Sequence, residues 1–235
     1  MAARLLMIDD DTRLSAMVGD YLRAAGFEVE VAGTLAEGRD RLAAAGSAPL
    51  HAPGFDALVL DLMLPDGDGL DLCRELRQKA PTLPIIFLTA RDSDFDIISG
   101  LRLGADDYLT KDVSLPHLTA RINTLFRRVD ALRRPQGAEA TLKNGDLSLQ
   151  PERMRVTWKD VEVPLTVTEF WMVHTMVRHP GHVKSRDALM RDAQVVVDDA
   201  TITSHIKRIR KKFLAIDANF DEIETMHGAG YRWRA

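Results

Sequence analysis

The chain has 235 residues, enough for two modest domains, and its 46% hydrophobic and 28% charged residues are ordinary for a soluble globular protein. A formal net charge of -4 excludes a uniformly basic nucleic-acid binder, so any such role must rest on a local basic patch. The single cysteine, Cys73, excludes an internal disulfide and fits a reducing cytosol, and no apolar stretch approaches the roughly 20 residues of a membrane span. The opening Met-Ala-Ala-Arg, followed at once by a strand, does not read as a signal peptide.

In chain order, Leu5 to Ile8 is a short apolar run that ends in Asp9, Asp10 and Asp11. Leu14, Val18, Tyr21 and Leu22 recur at helical spacing, with Gly26 just past the helix end. Phe27 to Val31 reads as a second strand, and Thr34 with Glu37 as a capping box opening a second helix. Residues 46–54, rich in glycine, proline, serine and alanine, read as a loop. Ala57 to Leu60 has the unbroken apolar character of a strand buried on both faces, and it stops on Asp61. Pro65, Gly67 and Gly69 then force a turn before a helix from about Leu70 to Ala80, where Cys73 sits among leucines as a core residue. Ile85 to Leu88 is a further strand ending in Thr89, and a helix covers about Ser93 to Leu103. Tyr108 and Leu109 form a last short strand ending at Thr110 and Lys111, before a helix through Leu118, Ile122 and Leu125. Strands alternating with helices predict an α/β fold with a doubly wound, parallel, five-stranded sheet.

The pattern changes near Arg133-Arg134-Pro135-Gln136-Gly137. Three segments are expected: a first domain over 1–128, a linker over 129–139, and a second domain over 140–235. The second opens with short strands between Leu142 and Trp158. Thr166 and Glu169 make a capping box for a helix carrying Phe170, Val173, His174 and Val177. Ser185 caps a shorter helix, a third runs from Asp199 to about Leu214, and Ile223 to Trp233 forms a hairpin. Three helices and a hairpin follow a winged-helix, α+β order.

Two constellations carry chemistry. In a parallel sheet the carboxyl ends of the strands share one edge, which brings together Asp9, Asp10, Asp61, Thr89 and Lys111. Three carboxylates repel one another and need a cation; oxygen ligands with open positions suit Mg²⁺, which also neutralises a phosphoryl group in transfer. Asp61 then acts as nucleophile and forms an aspartyl-phosphate, with Thr89 donating to that group and Lys111 pairing with it. Asp11 alone reads as a helix cap. Asp66-Gly67-Asp68-Gly69 is not a calcium loop, because the fifth and twelfth positions from Asp66 are Leu70 and Arg77. In the second constellation, Ala200 to Leu214 contains no acid. Ile202, Ile206, Ile209 and Phe213 take the core face, leaving Lys207, Arg208, Arg210, Lys211 and Lys212 outward for a DNA groove.

Leu-Leu-Met-Ile-Asp-Asp-Asp at 5–11, Leu-Val-Leu-Asp-Leu-Met-Leu-Pro at 58–65, Phe-Leu-Thr-Ala-Arg at 87–91 and Gly-Ala-Asp-Asp-Tyr-Leu-Thr-Lys at 104–111 resemble the receiver domain of bacterial two-component response regulators. The resemblance implies that Asp61 accepts phosphate from a sensor histidine kinase. It further implies that Asp9, Asp10, Asp61 and the carbonyl of Met63 hold Mg²⁺, and that Thr89 and Tyr108 form a switch pair. Asp112 stands where the family usually has proline, so the bond after Lys111 is expected to be trans, with Asp112 competing for the Lys111 ammonium.

Leu-Thr-Val-Thr-Glu-Phe at 165–170, Thr-Ile-Thr-Ser-His-Ile-Lys-Arg at 201–208 and Gly-Ala-Gly-Tyr-Arg-Trp at 228–233 resemble the winged helix of the OmpR/PhoB family. By that resemblance Thr203, Ser204, Lys207 and Arg208 face base edges of promoter DNA. Thr201, His205 and Arg210 meet phosphates, and Arg232 reaches the minor groove. It also implies that phosphorylated receivers form a homodimer through the fourth helix, fifth strand and fifth helix. There Asp106, Asp107 and Arg121 match ion-pair positions, and Ile97 and His117 replace charged residues. RNA polymerase is a further implied partner, and no membrane association is.

A phosphorylation-regulated transcriptional regulator is therefore expected. The alternatives are a DNA binder whose receiver serves only as a dimerisation module, and a haloacid-dehalogenase-type phosphatase using Asp9. The second fits poorly, since the fifth position from Asp9 is Arg13 rather than threonine.

Overall fold

The structure, a computed structural model, describes residues 2–44, 54–133, 141–192 and 199–235. The chain divides into two compact units, residues 1–123 and 124–235.

The first unit is built from β1 (Arg4–Ile8), α1 (Thr12–Ala24), β2 (Glu28–Ala32), α2 (Leu35–Ala44), β3 (Ala57–Leu60), α3 (Gly69–Lys79), β4 (Ile85–Thr89), α4 (Asp94–Leu103), β5 (Asp107–Thr110) and the first half of α5 (Leu115–Arg133), a helix that crosses the boundary at residue 123. The five strands are parallel, in the order β2-β1-β3-β4-β5. Every residue of β3 and β4 is buried, as expected of central strands covered by helices on both faces. The core joins Leu6, Ile8, Leu58, Leu60, Ile85 and Phe87 of the sheet to Leu35, Leu72, Cys73 and Leu101 of the helices. Asp11 caps α1 by accepting the N–H groups of Arg13 and Leu14.

Two local expectations change. Thr34 accepts the N–H of Glu37 at 3.1 Å, but the Glu37 carboxylate turns back to Gly33 N–H at 2.9 Å rather than to Thr34. Helix α5 continues to Arg133 and so takes up the start of the expected linker. Residues 127–133 contain neither glycine nor proline, and the first helix-stopping residue is Pro135.

The second unit comprises β6 (Leu142–Asn144), β7 (Leu147–Gln150), β8 (Arg155–Trp158), β9 (Val161–Glu162), α6 (Val167–Val177), α7 (Arg186–Asp192), α8 (Asp199–Leu214), β10 (Ile223–Met226) and β11 (Gly230–Trp233). Strands β6 to β9 form an antiparallel sheet in sequential order, and β10 and β11 pair as the hairpin. The capping box of Thr166 and Glu169 is complete. Trp158, Phe213, Phe220 and Trp233 form an aromatic centre, with Phe213 stacked on Phe220 at 4.4 Å between centroids.

Candidate functional site

The carboxyl ends of β1, β3, β4 and β5 meet at one edge. The carboxylates of Asp9, Asp10 and Asp61 offer oxygens that all lie within 4.8 Å of one another. Lys111 reaches across from the end of β5, its Nζ 2.9 Å from Asp9 Oδ1 and 2.6 Å from Asp61 Oδ2. Burial pushes the Asp9 carboxyl above its ordinary pKa, against the opposing pull of Lys111. Burial also works against the Lys111 ammonium, but Asp61 and Asp9 outweigh it and hold its pKa above the usual lysine value. Asp9 Oδ2 is buried with no hydrogen-bond partner among the described residues. An unsatisfied buried carboxylate oxygen beside two further carboxylates is a hard-oxygen donor set, and a divalent cation such as Mg²⁺ fits it.

Asp61 is itself fixed by its own loop. Its Oδ1 accepts the N–H groups of Leu62 at 2.6 Å and Met63 at 3.2 Å. The chain then turns sharply into α3. A Cβ at Gly69 would lie 2.2 Å from the Asp61 carbonyl oxygen, so only glycine lets α3 start this close. The Met63 side chain points to solvent, and the main-chain carbonyl is that residue's only hard-oxygen ligand group.

Thr89 is fully buried, and its hydroxyl accepts the N–H of Arg91 at 3.4 Å. The Tyr108 hydroxyl donates to the Arg91 carbonyl at 2.8 Å, while its ring meets Phe87 edge-on at 6.0 Å. The backbone of one residue, Arg91, thus touches both residues expected to form the switch, through its N–H and its carbonyl. The Arg91 guanidinium pairs with Asp68 at 3.4 Å and lines an open hollow with Asp10, Met63, Pro65 and Asp68. In the sequence Arg91 stood only as the last residue of Phe-Leu-Thr-Ala-Arg, with no role of its own assigned. The Lys111–Asp112 bond is trans. Asp112 does not take the Lys111 ammonium, however; it accepts the Thr110 hydroxyl, leaving Lys111 to the two buried acids.

The sequence matches the family described as response regulator receiver domain over residues 5–123, and that described as transcriptional regulatory protein, C terminal, over residues 160–233. It is 36% identical over 235 residues to the transcriptional regulatory protein BaeR of Escherichia coli, covering 99% of this chain and 93% of that protein. It is 37% identical over 236 residues to the phosphate regulon transcriptional regulatory protein PhoB of Rhizobium meliloti, covering 98% of each. The crystal structure of DrrB, an OmpR/PhoB homologue from Thermotoga maritima, covers 100% of both chains at 26% identity, with a TM-score of 0.51. The chain belongs to the OmpR/PhoB family of response regulators. It is a phosphorylation-regulated, DNA-binding transcriptional regulator.

In this OmpR/PhoB regulator, α8 presents fewer free bases than its sequence suggested. Thr203, Lys207 and Lys211 are exposed and Ser204 half-exposed. Arg208 instead turns inward to Glu169, which is fully buried on α6, and Lys212 Nζ joins it at 2.6 Å from Glu169 Oε2. A buried carboxylate demands such partners. Although burial opposes it, the paired charges of Arg208 and Lys212 hold the Glu169 carboxyl at a pKa of about 2. Arg210 clips α8 to the hairpin, donating to the Ile223 carbonyl at 2.6 Å and the Thr225 hydroxyl at 2.8 Å. His205 is 1% exposed and does not reach the outer face. It stands three residues after Ile202 and four before Ile209, on the helix's buried stripe. Arg232 pairs across the hairpin with Glu224 at 2.5 Å. The Thr201 side chain lies outside the described residues.

The expected dimer face also separates. Asp106 is buried against Arg77 of α3, at 2.9 Å, and accepts the Ile85 N–H at 3.0 Å; it does not reach that face. Neighbours along an extended chain point to opposite sides, and Asp107 accordingly turns the other way, to Arg121 of α5 at 3.5 Å. Arg121 also donates to His117 Nε2 at 3.0 Å, while Ile97 is half-buried against the core. Among the described residues no helix is long and apolar enough to cross a membrane.

Proposed function

We propose that Asp61 is the phosphoacceptor, receiving a phosphoryl group from the phosphohistidine of a sensor histidine kinase. The observation that carries this is the meeting of Asp9, Asp10 and Asp61 around a buried, unsatisfied Asp9 oxygen, with Lys111 bridging two of the acids. A carboxylate oxygen of Asp61 attacks phosphorus; the new P–O bond forms as the P–N bond breaks, and its electron pair returns to the imidazole. Asp9, Asp10, Asp61 and the Met63 carbonyl hold Mg²⁺, which supplies neutralisation of the phosphoryl charge. Lys111 exchanges its Asp61 contact for a phosphoryl oxygen. Thr89 donates its hydroxyl to the same group, withdrawing from the N–H of Arg91, whose carbonyl holds Tyr108, so the pair reports the phosphorylated state.

The output is dimerisation through the face bearing Ile97, Asp107, His117 and Arg121, followed by binding to promoter DNA. Thr203, Ser204 and Lys207 face the groove, with Thr201 and Arg232 at its margins, and RNA polymerase is the downstream partner. The receiver ends with α5, the DNA-binding domain starts near residue 140, and the protein acts in the cytoplasm.

The test is incorporation of one phosphoryl group from a small phosphodonor, followed by intact mass and peptide mapping. Wild type is labelled at Asp61 only when Mg²⁺ is present, and Asp61→Ala is not labelled. Labelling at another residue refutes the assignment.

A further inference from the structure

The loop that follows Asp61 is a miniature hairpin. Met63–Leu64 pairs with Gly67–Asp68, and Gly69 N–H donates to the Leu62 carbonyl at 2.9 Å. Its base holds Asp61 and Met63; its tip is Pro65–Asp66. A two-pair hairpin has little stability of its own in water, so something else must fix it.

The tip is fixed to another element. Asp66 Oδ1 accepts the N–H of Leu35 at 2.9 Å, and Asp66 Oδ2 accepts that of Ala36 at 2.8 Å, across 31 and 30 residues of sequence. These are among the N–H groups that a helix leaves unpaired at its start. The next, that of Glu37, is taken locally by Thr34. Helix α2 therefore receives one cap from its own sequence and a second from the phosphoacceptor loop. The bracket is firm because Leu35 is a core residue, 2% exposed. The fit is close as well: a Cβ at Gly67 would lie 3.0 Å from Leu35 Cδ1, and its φ of +151° suits glycine.

We infer that Asp66 is a positioning residue for the cation site: by clamping the hairpin tip to α2 it holds the Met63 peptide beside Asp9 and Asp61. The inference rests on the Mg²⁺ reading above. The Met63 backbone is then held from two sides, by the Met63 N–H on Asp61 Oδ1 and by the tip on α2. Its carbonyl is presented to the ion without further ordering of the loop. Asp66 and Asp68 are both occupied as helix caps, the latter on Leu70 N–H at 2.9 Å, which explains two acids that form no metal loop of their own.

The experiment is Mg²⁺ titration of the full-length protein by calorimetry, in parallel with the Mg²⁺ dependence of labelling by a small phosphodonor. Loss of an outer residue that orients a ligand weakens metal binding by about tenfold or more. Asp66→Ala is expected to raise the Kd for Mg²⁺ by about that factor, with labelling at saturating Mg²⁺ returning to the wild-type level. Asp66→Asn keeps one acceptor oxygen but turns its NH2 toward the second N–H, so it recovers only part of the affinity. Thr34→Ala removes a cap from the same helix without touching the loop and leaves Mg²⁺ binding unchanged. Wild-type affinity in Asp66→Ala, or an equal loss in Thr34→Ala, overturns the inference alone. Failure of wild type to bind Mg²⁺ overturns both the inference and the cation reading.

Discussion

Lys111 Nζ lies 2.6 Å from Asp61 Oδ2, so the acid expected to react is neutralised by the residue expected to release it. The same ammonium also serves Asp9. Replacing Lys111 with alanine leaves three clustered carboxylates without a cation from the protein. The variant is expected to be less stable than wild type by about 1–3 kcal/mol in EDTA, the usual cost of stranding buried polar groups. Mg²⁺ should then stabilise the variant more than it stabilises wild type. Thermal melts with EDTA and with saturating Mg²⁺ measure this; equal stabilisation of the two proteins would show that Lys111 and the ion do not share the site.

Glu169 gives the second unit a pH limit. Its carboxyl is held at about 2 in the folded state, below its ordinary value of 4.5, because Arg208 and Lys212 outweigh its burial. A depressed folded pKa contributes stability that is complete above the unfolded pKa and is lost as pH falls through the folded one. The loss should therefore run from about pH 4.5 down to about pH 2. All three tryptophans, Trp158, Trp171 and Trp233, lie in this unit, so tryptophan fluorescence reports it selectively. Glu169→Ala strands two cations and is expected to cost about 3–5 kcal/mol at neutral pH. A Glu169→Ala melt within experimental error of wild type contradicts this account.

The DNA face makes a separable prediction. Lys207 and Lys211 are exposed, whereas Arg208 and Arg210 are tied into the fold. A lysine that meets a phosphate contributes about one unit to the slope of log affinity against log salt. Lys211→Ala should lower that slope by about one, whereas Lys207→Ala, at a base-facing position, should chiefly relax sequence preference, both with unchanged melting. Arg210→Ala should instead loosen the hairpin and lower the melting temperature. Fluorescence anisotropy with promoter DNA over a salt series distinguishes the two behaviours.

What the sequence revealed, and what it hid, follows from the range of each interaction. Asp9, Asp61 and Thr89 were legible because each ends a buried apolar run, and a parallel sheet gathers such ends by topology alone. The capping box of Thr166 and Glu169 is a four-residue pattern and survived intact. The second use of Glu169, binding Arg208 and Lys212 about 40 residues later, leaves no local trace; the same bases read as an outward patch until the buried acid is located. Asp66 was hidden for the same reason. Strand β9 escaped because its turn is Lys159–Asp160, where both residues adopt positive φ, 51° and 62°, without the glycine or asparagine that normally marks such a turn.

Asp106 and Asp107 put the alternation of an extended chain to a direct test. One side chain is buried on Arg77, and the other turns to Arg121 on the face proposed for dimerisation. Adjacent substitutions should therefore fail in different ways. Asp106→Ala leaves the largely buried Arg77 without its acid and is expected to cost about 3–5 kcal/mol, the range for breaking a buried pair. Provided the variant is studied below its melting temperature, its phosphodonor-dependent dimerisation should match wild type. Asp107→Ala likewise strands a largely buried partner, Arg121, and is expected to cost a comparable amount, so dimerisation rather than melting separates the two variants. Its dimer should weaken, because the charge that orients Arg121 on that face is gone. Sedimentation velocity with and without phosphodonor, beside thermal melts, resolves the two variants; an Asp106→Ala protein that is stable but monomeric would reverse the assignment.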